Sequence, residues 1–398
     1  MEYHKYRLGD LIEQYDEINE SKEFSDIDDL QGINSNKIFQ ECKSNKNDID
    51  LFRYRICRKG MFSYNRATSR NGEKISIAYR TNKDCLVSPS YCCFSVKEKD
   101  ILSSDYLDIW FKRPVFDRYA RFNSWGSATE FFTYDDFCET QIVLPPIKVQ
   151  QRIVYNYKVI SDRIELLQKM MDKFTALVDA IYIKWIVLGE SPYRSSEVKQ
   201  TEMGYLPLGW KIAELGDYIE SFSKSHSFSK NKLVFLNTSD ILSGRFLKTA
   251  YMNVSDMPGQ AKKSIAKGDI LFSEIRPANK RFALVRCLAD DYVVSTKLMV
   301  LRTTQNELSN LRVYHYLTMD KTLAELQKEA EGESGTFPQI TFDGNLRHRK
   351  FIVADTQTET IFNKVLERHY AYIFNIQDEI DVLNSVKNML LFEQNKGA

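Results

Sequence analysis

Ile153-Val154-Tyr155-Asn156-Tyr157-Lys158-Val159-Ile160 opens a run whose apolar positions continue through Ile164, Leu167, Met171, Phe174, Val178, Ile181 and Trp185. Counted from Ile153 through Tyr157 and Ile160, the steps alternate four and three without a break, the spacing of a coiled-coil seam. Pro145-Pro146 stands just before the run. Proline closes a strand and fits the first turn of a helix. At 1.5 Å per residue, a helix from 149 to 187 is roughly 55–60 Å long. The segment 148–188 therefore reads as a spacer helix rather than one packed on its own domain. A second run, Phe362, Leu366, His369, Ile373, Ile376, Ile380, Leu383, Lys387 and Leu390, keeps the spacing through a closing helix at 356–398. Its two polar members cost stability but fix register and partner choice. His369 is thus a seam residue, not a catalytic base.

What surrounds these helices is duplicated. Leu8-Gly9-Asp10 recurs as Leu215-Gly216-Asp217, Lys59-Gly60 as Lys267-Gly268, and Val87-Ser88 as Val294-Ser295. Phe62-Ser63 through Arg66 is read against Phe272-Ser273 through Arg276, and Ile142-Val143-Leu144 against Phe351-Ile352-Val353. A common order at nearly constant spacing signals an internal repeat. Each copy has a strand-rich body, 1–147 and 205–355, followed by a helix; 189–204 forms a Gly/Ser/Pro linker. Alternating runs such as Lys74 to Tyr79 and Leu298 to Leu301 predict strands, while 106–119 and 311–329 predict amphipathic helices. The fold class is α+β: two tandem α+β domains separated by long coiled-coil helices, an internal pseudo-repeat.

Composition narrows the function. The 398 residues carry 55 Lys and Arg against 54 Asp and Glu, a net charge of +1, with 43% hydrophobic residues. This is a globular composition, neither disordered nor histone-like. It leaves room for local basic patches. Twenty-four Phe and 22 Tyr suit dense cores or stacking surfaces. No leader-like apolar stretch follows the start and none is long enough to span a membrane, so a cytoplasmic location is expected. The seven irregularly spaced cysteines do not suggest a disulfide framework.

The motifs of catalysis are missing. There is no phosphate-cradling Gly-x-x-x-x-Gly-Lys loop and no Gly-x-Gly-x-x-Gly. The five histidines are scattered, and adjacent Cys92-Cys93 suits a strand better than a zinc site. Leu144-Pro145-Pro146-Ile147 has neither the polar head nor the aromatic that amino-group methylation requires. A binding module is favoured over an enzyme, and no metal or cofactor is expected in this chain.

Four segments carry a resemblance to the specificity subunits of type I restriction–modification systems. They are Thr201 to Trp210 with Leu215-Gly216-Asp217; Gly268 to Lys280; Phe62 to Arg66 with Val87 to Tyr91; and Ile142 to Ile153. The second junction, Ile352 to Gln357, departs from the pattern by lacking the proline pair. The resemblance implies that each body is a target-recognition domain reading half of a bipartite double-stranded DNA sequence. The helices would set the spacing and dock two modification (methyltransferase) subunits. Restriction subunits with translocase and nuclease activity would join them, and S-adenosylmethionine, ATP and Mg²⁺ would belong to the partners. A coiled-coil scaffold without DNA recognition is the alternative.

Base edges and phosphates are contacted mainly by Arg, Lys, Asn and Gln. The candidates are Asn65, Arg66, Arg70, Asn71 and Lys74 in the first body. In the second they are Arg276, Asn279, Lys280 and Arg281, with Arg347 and Arg349 for phosphates. Ile153, Ile160, Ile164, Leu167, Met171, Phe174, Ile373, Ile380 and Leu383 form the candidate helix seam for partner docking.

Overall fold

The computed structural model describes residues 3–42, 50–68, 74–127, 129–305, 307–333 and 335–393. The chain forms two compact units, one comprising Met1–Leu166 with Ile380–Ala398 and the other Leu167–Glu379. Each unit thus takes in a stretch of both long helices.

Unit 1 begins and ends on one pair of strands, His4–Arg7 antiparallel to Gln141–Leu144. Its main sheet is antiparallel, in the order Ile12–Tyr15, Tyr91–Val96, Phe62–Asn65, Ile77–Tyr79. Side chains alternate across a strand. Phe62, Tyr64 and Phe94 accordingly face the helices, with Phe62 and Phe94 stacked at 5.1 Å. Cys93 turns to the opposite face, where it joins Cys57, Cys85 and Val87. These cysteines pack as small apolar groups. Among the described residues, no His, Cys, Asp and Glu side chains gather as a metal site.

The expected helix at 106–119 is two helices, α1 (Ser104–Phe111) and α2 (Pro114–Phe122). Pro114 lacks the N–H that would continue α1 and starts α2 instead. A short α3 (Tyr134–Cys138) precedes the exit strand. Helix α4 (Ile147–Tyr182) then runs into a π turn at Ile183–Val187. Along α4 the seam positions are sheltered, while Tyr155, Val159, Leu166 and Met170 between them stand exposed.

Unit 2 repeats the plan. Lys211–Glu214 pairs with Lys350–Val353, and the sheet runs Ile219–Ser221, Leu298–Thr303, Ile270–Ser273, Phe282–Leu284. Helices α5 (Asn310–Thr318) and α6 (Asp320–Glu333) replace the single helix expected at 311–329. Helix α7 (Thr356–Glu393) closes the chain. The segment read as a linker at 189–204 contains a strand, Val198–Thr201, paired in a hairpin with Gly204–Pro207. No described helix is long and apolar enough to cross a membrane.

Strand pairing fixes the register of the duplication. Phe62 lies between Phe94 and Tyr79, as Ile270 lies between Leu301 and Leu284. Phe62 therefore matches Ile270, not Phe272. Where the second junction lacks prolines, Asp355 takes over. Its carboxylate accepts from Thr358 N at 2.8 Å and from the indole of buried Trp210 at 2.7 Å.

Arg312 of α5 is fully buried in unit 2, its Nε 3.4 Å from Glu359 and its guanidinium 4.6 Å from the Tyr182 ring centroid. Removing one partner of a buried pair strands the other's charge. Arg312→Ala should lower stability in urea denaturation by about 3–5 kcal/mol. Arg312→Met with Glu359→Gln should recover most of that loss; equal loss in both variants would contradict the account.

Candidate nucleic-acid interface

In unit 1 the chain leaves the sheet at Asn65 and runs beside the segment Trp125 to Phe132. Phe132 N donates to Arg66 O at 2.9 Å, Thr68 N donates to Glu130 O at 2.9 Å, and Ala67 bridges Phe131. Trp125 and Phe131 exchange backbone bonds around Gly126, whose φ of +148° brings it against the Thr129 carbonyl, where a Cβ would not fit.

Unit 2 repeats this edge. Ile340 N donates to Glu274 O at 2.8 Å, Arg276 N donates to Pro338 O at 3.1 Å, and Ile275 bridges Gln339. Arg66 thus occupies the place of Glu274, and Arg276 the place of Thr68. The two arginines read as counterparts are not equivalent.

The side chains sort into those the fold has used and those it has left. Asn65 accepts from Ala67 N, and Arg66 donates to Ser90 O at 3.2 Å, so both brace their own loop. Lys74 is exposed. Arg70 and Asn71 lie outside the described residues. In unit 2, Arg281 donates to the carbonyls of Ser239 and Ile241, both at 3.0 Å. Lys280 pairs with Asp320 at 2.7 Å. Arg276 and Asn279 remain exposed, with no side-chain partner among the described residues.

The turn carrying these two is rigid and strained. Arg276 and Lys280 have φ of +45° and +54°, flanking a short turn at Pro277–Asn279. Ala278 N donates to Gln327 of α6 at 3.1 Å. Left-handed backbone at a non-glycine residue costs on the order of 1–3 kcal/mol and gathers at functional sites. Here it aims a guanidinium and an amide outward from a fixed frame.

The basic run at Arg347 to Lys350 does not supply free charge. Arg347 pairs with Asp343 at 2.6 Å, His348 with Glu214 at 3.0 Å and Lys350 with Glu202 at 2.7 Å. Arg349, its side chain 11% exposed, is held by Tyr316, Glu325 and Glu329. These bonds give Arg349 internal partners for its charge. His369 is half-buried, and its ring Nδ1 donates to Val365 O of its own helix at 2.8 Å.

Three exposed aromatics lie at the unit 1 edge and escaped the sequence reading: Phe122, Trp125 and Phe131, at 82%, 69% and 44% exposure. Bare aromatic faces beside a polar loop are suited to stacking on bases or wedging between them. Their composition is ordinary; only the fold shows them uncovered.

Lys280 also lines a cleft of about 470 Å³ within unit 2, together with Asp172, Asp179, Asp320, His315 and Gln377. Burial, and then Arg312, lowers the pKa of His315 to about 3, which keeps the ring neutral. Burial, and then Asp320, pushes Asp179 up to about 6. The cleft is acidic and does not suit a phosphate.

Comparison with known proteins places these features. Residues 207–385 match the family described as type I restriction modification DNA specificity domain. The type I restriction enzyme HindI specificity subunit of Haemophilus influenzae is 38% identical over 182 residues, which cover 46% of this chain and 38% of that protein. The match thus spans well under half of that relative's length. The MjaIX specificity subunit of Methanocaldococcus jannaschii is 21% identical over 302 residues, 74% of this chain and 68% of that protein. The crystal structure of an S subunit from M. genitalium aligns over 99% of this chain and 96% of its own, with a TM-score of 0.59 at 15% identity. That likeness is one of fold.

Two measurements follow from the geometry. Arg349→Ala should cost about 2–3 kcal/mol of stability in urea, since it strips charged hydrogen bonds from a sheltered site. Arg276→Ala should stay within about 0.5 kcal/mol, as exposed substitutions do. Asp179→Asn tests the acidic cleft. With a folded pKa raised to about 6, the wild type bears the cost of a half-buried charge above that pH and loses the cost as it protonates. The variant should therefore be more stable by on the order of 1 kcal/mol at pH 8. The difference should vanish as pH falls toward 4, and a gain independent of pH would refute the assignment.

Proposed function

We propose that this chain is a specificity subunit of a type I restriction–modification system and that it reads a bipartite double-stranded DNA target, one half-site per unit. The observation that carries the reading is the turn at Arg276 to Lys280. It is strained, anchored to α6, and projects Arg276 and Asn279 without internal partners. Guanidinium and carboxamide groups are those that bind guanine and adenine edges in the major groove. The corresponding edge of unit 1 carries different side chains, which fits an asymmetric target.

The chain acts by recognition alone. Its seam residues, Ile153, Ile160, Ile164, Leu167, Met171, Phe174, Ile373, Ile380 and Leu383, hold the long helices together. The helices' outward faces dock two modification subunits, to which restriction subunits add. S-adenosylmethionine, ATP and Mg²⁺ belong to those partners, and the complex works in the cytoplasm. Two linked readers gain affinity only when the spacing between half-sites matches the span between them.

The test is binding of the chain, with its modification subunits, to duplexes carrying the target found by methylation mapping. Affinity should fall by roughly 10³–10⁵ between 50 and 200 mM salt if six to ten phosphates are neutralised. Arg276→Ala should weaken specific binding roughly 5- to 150-fold, the equivalent of about 1–3 kcal/mol, and relax discrimination at one half-site only. Salt-independent binding, or an Arg276→Ala variant that methylates both half-sites as before, contradicts the reading.

A further inference from the structure

Unit 1 contains a cleft of about 750 Å³, walled by α1 and α2, by the opening turns of α4 and the closing turns of α7, and floored by the turn at Ser35 to Ile38. Six cations line it: Lys37, Lys74, Lys112, Arg118, Lys158 and Lys387, against the carboxylates Asp105, Asp108 and Asp117. Two of the six are internally neutralised. Lys37 is buried and pairs with Asp117 at 2.6 Å, and Lys112 pairs with Asp108 at 2.5 Å. Lys74, Arg118, Lys158 and Lys387 have no acidic partner among the described residues.

The crowding is physical, not only numerical. The Tyr157 ring lies between two amines, with Lys387 at 4.7 Å and Lys112 at 5.8 Å from its centroid. Burial, then repulsion from Lys112, lowers the proton affinity of Lys387. Lys74 and Lys112 act in the same sense on Lys37. Like charges held together in a concave, partly desolvated site focus a positive potential. Asn384 and Asn388 on the same walls carry amide N–H groups that can donate to anion oxygens.

The fold does not demand this charge. The cleft at the matching place in unit 2 is lined by Asp172, Asp179 and Asp320 with a single lysine, Lys280. Where unit 1 has Lys37 in left-handed backbone, unit 2 has Gly244, also left-handed. The scaffold tolerates either sign, so the cations of unit 1 answer to something other than packing.

We propose that the unit 1 cleft is an anion site that takes a phosphate group. The source is a DNA backbone continuing past the sheet edge at Asn65, in which case the inference rests on the reading above, or a free phosphate compound.

The experiment uses the full chain at low salt. Inorganic pyrophosphate and, separately, a 30-base-pair duplex are titrated, and acylation of Lys158 and Lys387 is followed by mass spectrometry. The double variant Arg118→Gln/Lys158→Gln is compared, since both side chains are exposed and unpaired, so the fold should be kept; thermal melting checks this. At least one ligand should protect both lysines several-fold, and the double variant should weaken that ligand roughly tenfold. With the duplex, its salt slope should drop by about two. Protection by pyrophosphate alone assigns a free phosphate compound, and protection by duplex assigns the DNA backbone. If the duplex binds through Arg276 while both lysines stay reactive to every ligand, the cleft proposal is overturned and the DNA reading stands. If pyrophosphate protects them and no duplex binds, the reverse holds. A double variant that binds as tightly as the wild type overturns the proposal.

Discussion

Each unit depends on a clasp between the strand that enters its body and the strand that leaves it. His4–Arg7 pairs with Gln141–Leu144, and Lys211–Glu214 with Lys350–Val353. Leu8 N donates to Thr140 O and Leu215 N to Arg349 O, both at 2.9 Å, extending the clasp by one more bond. The chain therefore enters and leaves a body at one point, and a long helix issues from it. What aims the helix is a buried polar side chain in its first turns. Gln150 accepts from Ser103 N at 3.0 Å and donates to the carbonyls of Ile101 and Pro145. At the matching place Glu359 accepts from Ala354 N at 3.1 Å. A buried carboxylate needs a cation where a carboxamide does not, and unit 2 supplies Arg312 from α5. The two copies solve the same junction with different chemistry, and each substitution entails the other.

Duplication under this constraint separates scaffold from surface. Sheet order, clasp and helix pairs are the same in both units, because each element buries a face that the next one needs. The edge loops carry no such obligation. Arg66 is drawn onto carbonyls of its own unit while Glu274 occupies its place in the other; Thr68 bonds Glu130 O where Arg276 projects. Divergence collects where side chains meet no neighbour, which is where two readers of different half-sites, as proposed, would have to differ.

Much of the scaffold was legible in the sequence, and the reasons for what was not are specific. The helix seam shows because its period is local, every step three or four residues. The repeat shows because order and spacing survive substitution. Its register at Phe62 did not, since the Phe-Ser pair recurs two residues out of step, and only hydrogen bonds to strands at Tyr79 and Phe94 place it. The breaks before Pro114 and Asp320 were passed over because the apolar spacing runs across them. Apart from Arg347, paired with Asp343 four residues away, the run Arg347 to Lys350 hid its ion pairs for a different reason. Its partners Glu214, Glu202, Glu325 and Glu329 lie between 20 and 148 residues away. No local reading of charge sees neutralisation at that range. Exposure of Trp125 and Phe122 is equally a tertiary fact, since aromatics of the same type fill the core a few residues away.

The net charge of +1 follows from this internal pairing. Surface ion pairs contribute little stability, about 0–1 kcal/mol each, so their number calls for another account. At physiological ionic strength the field of a charge fades over about 8 Å. A cation neutralised by a local partner adds little long-range attraction to nucleic acid. The Arg276 turn and the cleft holding Lys158 and Lys387 are among the places where pairing is incomplete. Nonspecific attraction is thereby kept low while contact at chosen points stays strong. For a chain that reads DNA as proposed, the ratio of specific to nonspecific affinity matters more than either alone, and local pairing raises that ratio.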